Sequence, residues 1–498
     1  MLKSKILFSI HFALVLFVFS VAGINAQATS KNADINAQAT GKNPVIIVPG
    51  VQGSTLVNPK TGKNVWFDVK RDKDDDLRLP MTSANLARNR DNLVATDIIR
   101  EVKVTGFLPS IEVYQGLIDS LKERGYTEAD WNKPKATDVF YVFPYDWRRD
   151  NVETARLLIQ KIEAVKRGVK RPGLKFDIIA HSMGGLVARY AAMYGAADLP
   201  PEGRKPVPTW TGAKHINKLL MFGTPNEGSV DAFDAVLNGS TVVSARNLPF
   251  IDDFRPEDVL TAPASFQLMQ HQSTARFLDE ELKPLKIDLY NIKTWDTYGW
   301  GAINDPKFLS KLKDAPRLAL KNKEIKPAKL PKDANYDDRI LSQTTSAQVR
   351  AYFASVLSRT KRFHLALDAL TRQSPILLYA YGGNCQPTLD AVVLLRDDKK
   401  ERWITVTDAR DIKTAGGRDI KKDEVKGVIF ALGDGRVTRR SLLAESEESK
   451  GGTEQLVKTV FPVKSSVFGC GLHTSLFLEK TIQDSFLSAL VVEKTQQP

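Results

Sequence analysis

Between residues 43 and 225 the apolar positions alternate between two rhythms. Short continuous runs, at Val45 to Val48, Val139 to Phe143, Phe176 to Ile179 and Leu219 to Phe222, have the character of strands buried on both faces. Between them lie helical spacings: Val113, Leu117, Ile118 and Leu121 within Glu112 to Arg124, then Asn151 to Lys166, then Leu186, Val187, Tyr190, Ala191 and Met193. This alternation predicts right-handed βαβ units and an α/β fold with a mostly parallel central sheet. From about 231 to 370 the rhythm is lost in proline-broken, aromatic and lysine-rich sequence, which predicts an inserted cap. Strands are expected again at Ile376 to Tyr381, Ala391 to Leu395 and Val428 to Leu432, with a last helix from about Ser475 to Leu490. The expected organisation is a core in two parts, 43–230 and 371–498, with an irregular segment 57–100 in the first part.

The amino terminus has a different pattern. Lys3 and Lys5 precede an apolar run from Ile6 to Val21, and Ala26-Gln27-Ala28 supplies small residues at cleavage spacing. Residues 1–28 therefore read as a secretory signal peptide, and a secreted or periplasmic location is expected. The strongest apolar run, Phe12 to Phe19, is too short to span a bilayer, and no later segment looks transmembrane. Ile24 to Thr29 recurs as Ile35 to Thr40, so 29–42 is expected to be a flexible linker.

A hydrophobic fraction of 42% across 498 residues suits a sizeable globular core. The formal charge of +13 falls to +11 without Lys3 and Lys5, which suits peripheral contact with an anionic membrane surface. Nucleic acid is not expected, because no binding motif for it is present. Two cysteines, Cys385 and Cys470, leave either one disulfide or two buried thiols open.

The densest chemistry lies at Asp177 to Leu186, where a strand runs through Ala180-His181-Ser182-Met183-Gly184 directly into a helix. A serine at the apex of a strand–turn–helix is the setting of a nucleophile elbow, with the Met183 amide offered to an oxyanion at the helix start. A serine hydroxyl needs a base, and the base needs an orienting group. Histidines occur at 11, 181, 215, 271, 364 and 473. His11 lies in the signal, and His181 adjoins the serine, where its side chain should point elsewhere. His215 leaves little room for the acid, and His271 and His364 fall in the cap. His473, in a glycine-rich loop before the last helix, is the expected base. Asp434 follows a late apolar run in Gly433-Asp434-Gly435 and is the expected acid. No His-Glu-x-x-His or cysteine cluster suggests a metal, and no cofactor is implied.

Five stretches in order, PVIIVPGVQGSTL from Pro44, FPYDWR from Phe143, AHSMGG from Ala180, FGTPNEGS from Phe222 and GDGRV from Gly433, resemble the lecithin:cholesterol acyltransferase family, which includes phospholipid:diacylglycerol acyltransferases and lysosomal phospholipases. The resemblance covers 43–230 well, 375–480 more loosely and the middle only in fragments. It implies an α/β-hydrolase fold with Ser182 as nucleophile, Asp434 as acid and His473 as base. It also implies a second oxyanion amide at Gln52, beside Val51. Asp146 and Arg148 would pair beneath the site, with Trp147 packing alongside. Ala180 and Arg436 depart from the family's glycine and threonine, and the cysteine-closed lid of the animal enzyme is missing. Segment 57–100 is still expected to act as a lid, with Trp66 and Phe67 either entering lipid or buried in the core. The function implied is an exported acyl hydrolase or acyltransferase acting on a lipid ester. The alternatives are an esterase for soluble or polysaccharide-linked esters, and a catalytically inactive envelope-binding protein.

Overall fold

The computed structural model describes residues 41–67, 77–102, 111–240, 254–315, 319–320, 323–324, 336–369, 373–450, 453–458 and 462–492. The expected signal peptide, nearly all of the linker and much of the lysine-rich run of the cap lie outside the described residues. Residues 43–498 form one compact unit.

Its centre is a seven-stranded sheet built from β1 (Val45–Val48), β2 (Thr127–Glu128), β3 (Val139–Val142), β4 (Phe176–His181), β5 (Ile216–Phe222), β6 (Leu377–Gly383) and β7 (Ser465–Gly469). The spatial order is β2-β3-β1-β4-β5-β6-β7, and every neighbouring pair is parallel. Parallel neighbours need crossovers, and helices supply them on both faces. These are α1 (Gln115–Glu123), α2 (Asn151–Gly168) and α3 (Met183–Tyr194); α4 (Lys480–Val492) follows the last strand.

The strand period of two sorts the core into two layers. Ile46, Val48, Ile178, Ala180, Leu219 and Met221 pack with α2 and α3. Val45, Ile47, Ile179, Leu220 and Phe222 face the other way, onto Leu117 and Ile118 of α1 and Ile482 and Phe486 of α4. The α2 helix is well specified at its ends. The Asp150 side chain caps it by accepting from the Val152 amide, and Lys166 and Arg167 complement the dipole in its last turn.

The segment expected as a cap shares the main core. Within it, α5 (Ser346–Leu367) opens with a capping box of Thr345 and Gln348 and buries Tyr352, Phe353 and Val356. Phe353 meets Phe266 and Trp295 edge-on. Along the chain α5 precedes β6, and α4 follows β7.

Three expectations change. Val428 and Ile429 end a helix, Lys422–Ile429, and only Phe430–Gly433 is extended. That strand pairs antiparallel with Gln386–Leu389, outside the central sheet. The apolar run was continuous because one helical turn and one short strand adjoin, and periodicity cannot part them. Ala391 to Leu395 likewise belongs to a side sheet, where Val392–Asp397 pairs with Arg402–Val406. The last helix is split into a 3-10 segment, His473–Leu478, and α4.

Trp66 does not reach out to lipid. It is 2% exposed, packs at 5.3 Å from Trp147 and 6.5 Å from Phe254, and donates from Nε1 to the Gln52 carbonyl at 2.9 Å. Ser54–Val57, Asn64–Trp66 and Val94–Ile98 form a three-stranded antiparallel sheet, and Phe67 is half-buried beside Trp66. Among the described residues, no helix is long and apolar enough to cross a membrane.

Candidate active site

Ser182 sits between β4 and α3 with φ 52° and ψ −125°, a left-handed conformation that side chains other than glycine rarely adopt. The turn is forced by close packing. A Cβ on Gly184 would lie 2.5 Å from the Val48 and Pro49 carbonyl oxygens, so only glycine fits there. Ala180, two residues before the serine, lies within the β4 ladder opposite Val48 and Met221, where a methyl group is accommodated. Met183 is the first residue of α3.

The loop after β1 approaches the serine from the other side. A Cβ on Gly50 would stand 2.9 Å from Ser182 Cβ. Gln52 also has a positive φ, 60°. The loop is fastened by Gly53 N–H to the Gly50 carbonyl (3.1 Å), and Gln52 Nε2 donates to Ser240 Oγ (3.0 Å).

Asp434 and His473 meet although their positions lie 39 residues apart: His473 Nδ1 is 2.8 Å from Asp434 Oδ2. The carboxylate's other oxygen accepts from the amides of Arg436 (2.9 Å) and Val437 (2.8 Å). The His473 amide donates to the Asp434 carbonyl at 2.9 Å, so both ends of the pair are fixed. Burial pushes the Asp434 carboxyl upward, but His473 and the two amides outweigh it and hold the group below its ordinary value. It is an anion at neutral pH.

One cavity collects these parts. Val51, Gln52, Ser182 and His473 line it, with Asp434 buried behind His473. Its apolar wall includes Ile99, Val113, Phe254, Val259 and Leu268. Asp231 and Arg436 also face it, and Arg436 Nη1 pairs with Asp231 Oδ2 at 2.8 Å. Asp146, Trp147 and Arg148 do not line the cavity. Arg148 is fully buried and holds Asp146 (2.8 Å), Asp91 (2.6 Å) and the Leu77 carbonyl (3.0 Å). Trp147 donates to the Ser54 carbonyl at 3.2 Å. This triplet ties residues 77–91 and the loop after β1 to the core.

Tyr114 at the cavity went unread in the sequence. The His181 side chain, expected to point elsewhere, lies beside His473, with ring centroids 4.7 Å apart. Its adjacency to Ser182 was the available signal, but strand direction alone does not say what a side chain meets.

A second histidine–carboxylate pair lies elsewhere. His271 Nδ1 is 2.6 Å from Asp368 Oδ1, and ligand atoms of Glu227, His271 and Asp368 fall within 4.8 Å of one another, a geometry compatible with a cation. Arg189 places a positive charge beside the two carboxylates. None of these residues lines the Ser182 cavity. Cys385 and Cys470 form a disulfide, with Cα atoms 5.0 Å apart, which settles the open choice between bridge and thiols.

Residues 55–259 match the family model described as lecithin:cholesterol acyltransferase. The family resemblance expected from the motifs is thereby shown over that stretch. No curated protein matches the chain. Among solved structures, the Tle4–Tli4 complex matches with 14% identity, 90% of this chain and 97% of that chain covered, and a TM-score of 0.46. A lipase of Bacillus licheniformis in its mature form matches with 11% identity, 91% and 94% covered, and a TM-score of 0.33. EstA from Clostridium botulinum matches with 12% identity, 93% and 91% covered, and a TM-score of 0.32.

Proposed function

We propose, from the premise that residues 55–259 carry the sequence pattern of the lecithin:cholesterol acyltransferase family, that this α/β-hydrolase is an exported serine acyl hydrolase or acyltransferase of lipid esters. The observation that carries the reading is the His473–Asp434 contact of 2.8 Å at a cavity that Ser182 also lines.

In this mechanism Ser182 Oγ attacks the ester carbonyl carbon and His473 Nε2 takes the hydroxyl proton. Asp434 holds the Nδ1–H and offsets the imidazolium charge. The amides of Met183 and Gln52 receive the oxyanion. When the tetrahedral intermediate collapses, the leaving alcohol takes the proton from His473 and an acyl-serine remains. Water or a second alcohol, deprotonated by His473, then attacks the acyl carbon, and His473 returns that proton to Ser182 Oγ as the acyl–serine bond breaks. The apolar wall formed by Ile99, Val113, Phe254 and Leu268 favours an acyl chain over a sugar or peptide as the group bound beside the ester.

Labelling with a fluorophosphonate tests the chemistry. The wild-type chain is expected to be labelled and Ser182→Ala to remain unlabelled; an unlabelled wild type would sink the proposal. Acyl release from phospholipid vesicles against short-chain soluble esters tests the substrate. A preference for monomeric esters, without any gain at an interface, would favour the soluble-ester esterase. Export through removal of residues 1–28, and contact of the basic surface with anionic lipid, complete the proposal.

A further inference from the structure

Four residues, three of which line the cavity, form a hydrogen-bonded chain. Gly50 N–H, in the loop after β1, donates to Tyr114 Oη at 2.8 Å. Tyr114 Oη lies 2.9 Å from His181 Nδ1, and His181 Nε2 lies 3.0 Å from the His473 carbonyl oxygen. Only one proton arrangement satisfies all three contacts. A carbonyl can only accept, so His181 Nε2 carries a hydrogen. Burial, and then the neighbouring His473, hold the His181 pKa down to about 3, so the ring is neutral and Nδ1 is bare. Tyr114 therefore donates its hydroxyl hydrogen to Nδ1 while its oxygen accepts from Gly50. Burial raises the Tyr114 phenol well above its ordinary value, so it keeps that hydrogen.

The chain joins two loops of the proposed machinery. One end is the loop that carries Gly50, Val51 and Gln52, and the other is the residue that bears the catalytic base. Asp434 holds the His473 ring and accepts from its backbone amide, and His181 holds the remaining backbone group, the carbonyl. Phe477 packs on both middle members, at 6.0 Å from Tyr114 and 5.4 Å from His181. A neutral His181 also allows His473 to become an imidazolium without a second positive ring 4.7 Å away.

The geometry points to Tyr114 and His181 as positioning residues that set the oxyanion loop and the base-bearing loop in register with Ser182. This inference rests on the proposed serine chemistry and adds to it two cavity-lining residues that act through the two loops they join rather than on the reacting atoms.

The test uses the full chain, with folded fraction measured for each variant. His181→Ala is expected to lower kcat and the fluorophosphonate labelling rate about 30- to 100-fold, with KM within about 2-fold, the scale of a small misplacement of reacting groups. His181→Gln, whose amide N–H occupies the region of Nε2, is expected to recover most of that loss. His181→Asn, whose amide lies near Nδ1, is expected to stay at least about 10-fold slower than His181→Gln. Tyr114→Phe is expected to slow the reaction about 10-fold, and to slow His181→Ala no further, because both act through one chain. Unchanged kcat per folded molecule in His181→Ala would overturn the inference, and so would His181→Asn matching His181→Gln. If His181→Ala does not fold, the Gln–Asn comparison decides alone. A wild type that fails to label at Ser182 defeats the proposed function itself, whereas normal labelling without this variant pattern defeats only the inference.

Discussion

Single atoms decide much of this site. Gly223 has φ +53°, and a Cβ there would lie 2.8 Å from Asp434 Oδ2 and from His473 Nδ1. Gly223→Ala is therefore expected to push the acid and base apart, lowering kcat more than 10-fold by about the same logic as other small misplacements, while the fold survives. Steady-state kinetics with a soluble ester, alongside circular dichroism, would check it; full activity would show that the pair tolerates displacement. Asp434→Asn keeps the shape but removes the charge that favours the Nδ1–H tautomer of His473, so kcat should fall about 10⁴-fold. Gly184 and Ala180 show the limit of motif reading. Both flank Ser182 by two residues, yet one faces backbone oxygens at 2.5 Å and the other sits in a sheet that accepts its methyl group. The tolerance of the first position for alanine follows from packing that the motif does not contain.

At the scale of elements, the site depends on two ties between distant segments. Arg148 is buried against Asp146 and Asp91, so Arg148→Met strands two carboxylates in the interior. A loss of about 3–5 kcal/mol is expected in denaturant unfolding, as for other broken buried pairs. A loss below about 1 kcal/mol would mean that the carboxylates find water or other partners. The Cys385–Cys470 bridge ties the end of β6 to the loop bearing His473. Cys385→Ser with Cys470→Ser should lower stability by about 2–4 kcal/mol and reduce kcat in parallel, measured by unfolding and by turnover. Elements on the sheet were legible because β1, β3, β4 and β5 are continuous apolar runs, the mark of strands covered on both faces. The strand before Asp434 was misread at its start for the same reason: Val428-Ile429 is as apolar as a strand but closes a helix. The choice for Trp66 between lipid and core stayed open in the sequence because an exposed and a buried indole look alike there. Only its neighbours, Trp147, Phe254 and the Gln52 carbonyl, distinguish them.

The whole molecule carries a pH dependence of its own. Burial depresses His181 to about 3 and His215 and His271 to about 4, and holds His364 well below its ordinary value. A histidine with a depressed folded pKa adds stability above its unfolded value near 6.5, and that stability is lost as pH falls. Burial raises Asp177 and Asp368 to about 6, which acts in the opposite sense below that pH. Burial raises Glu227 as well; among the described residues four depressed histidines still outnumber three raised carboxyls, so Tm is expected to fall between pH 7 and pH 5, and a flat or rising Tm would contradict this balance. The charge of +13 makes a second expectation: binding to anionic vesicles should weaken as ionic strength rises, and binding indifferent to salt would remove the electrostatic contribution. What the sequence by itself determined was the alternation of strand and helix, the serine in its turn, and Asp434 and His473 as candidates, because apolar periodicity and local turn chemistry are properties of neighbouring residues. What only the tertiary structure decided was which side chains meet across the chain: the 39-residue gap closed between Asp434 and His473, the burial of Trp66, the Cys385–Cys470 bridge, and the run of contacts from Gly50 through Tyr114 and His181 to His473. Those depend on how the strands order in the sheet and which loops reach its edge, and long-range packing of that kind leaves no periodic trace in the residues that take part.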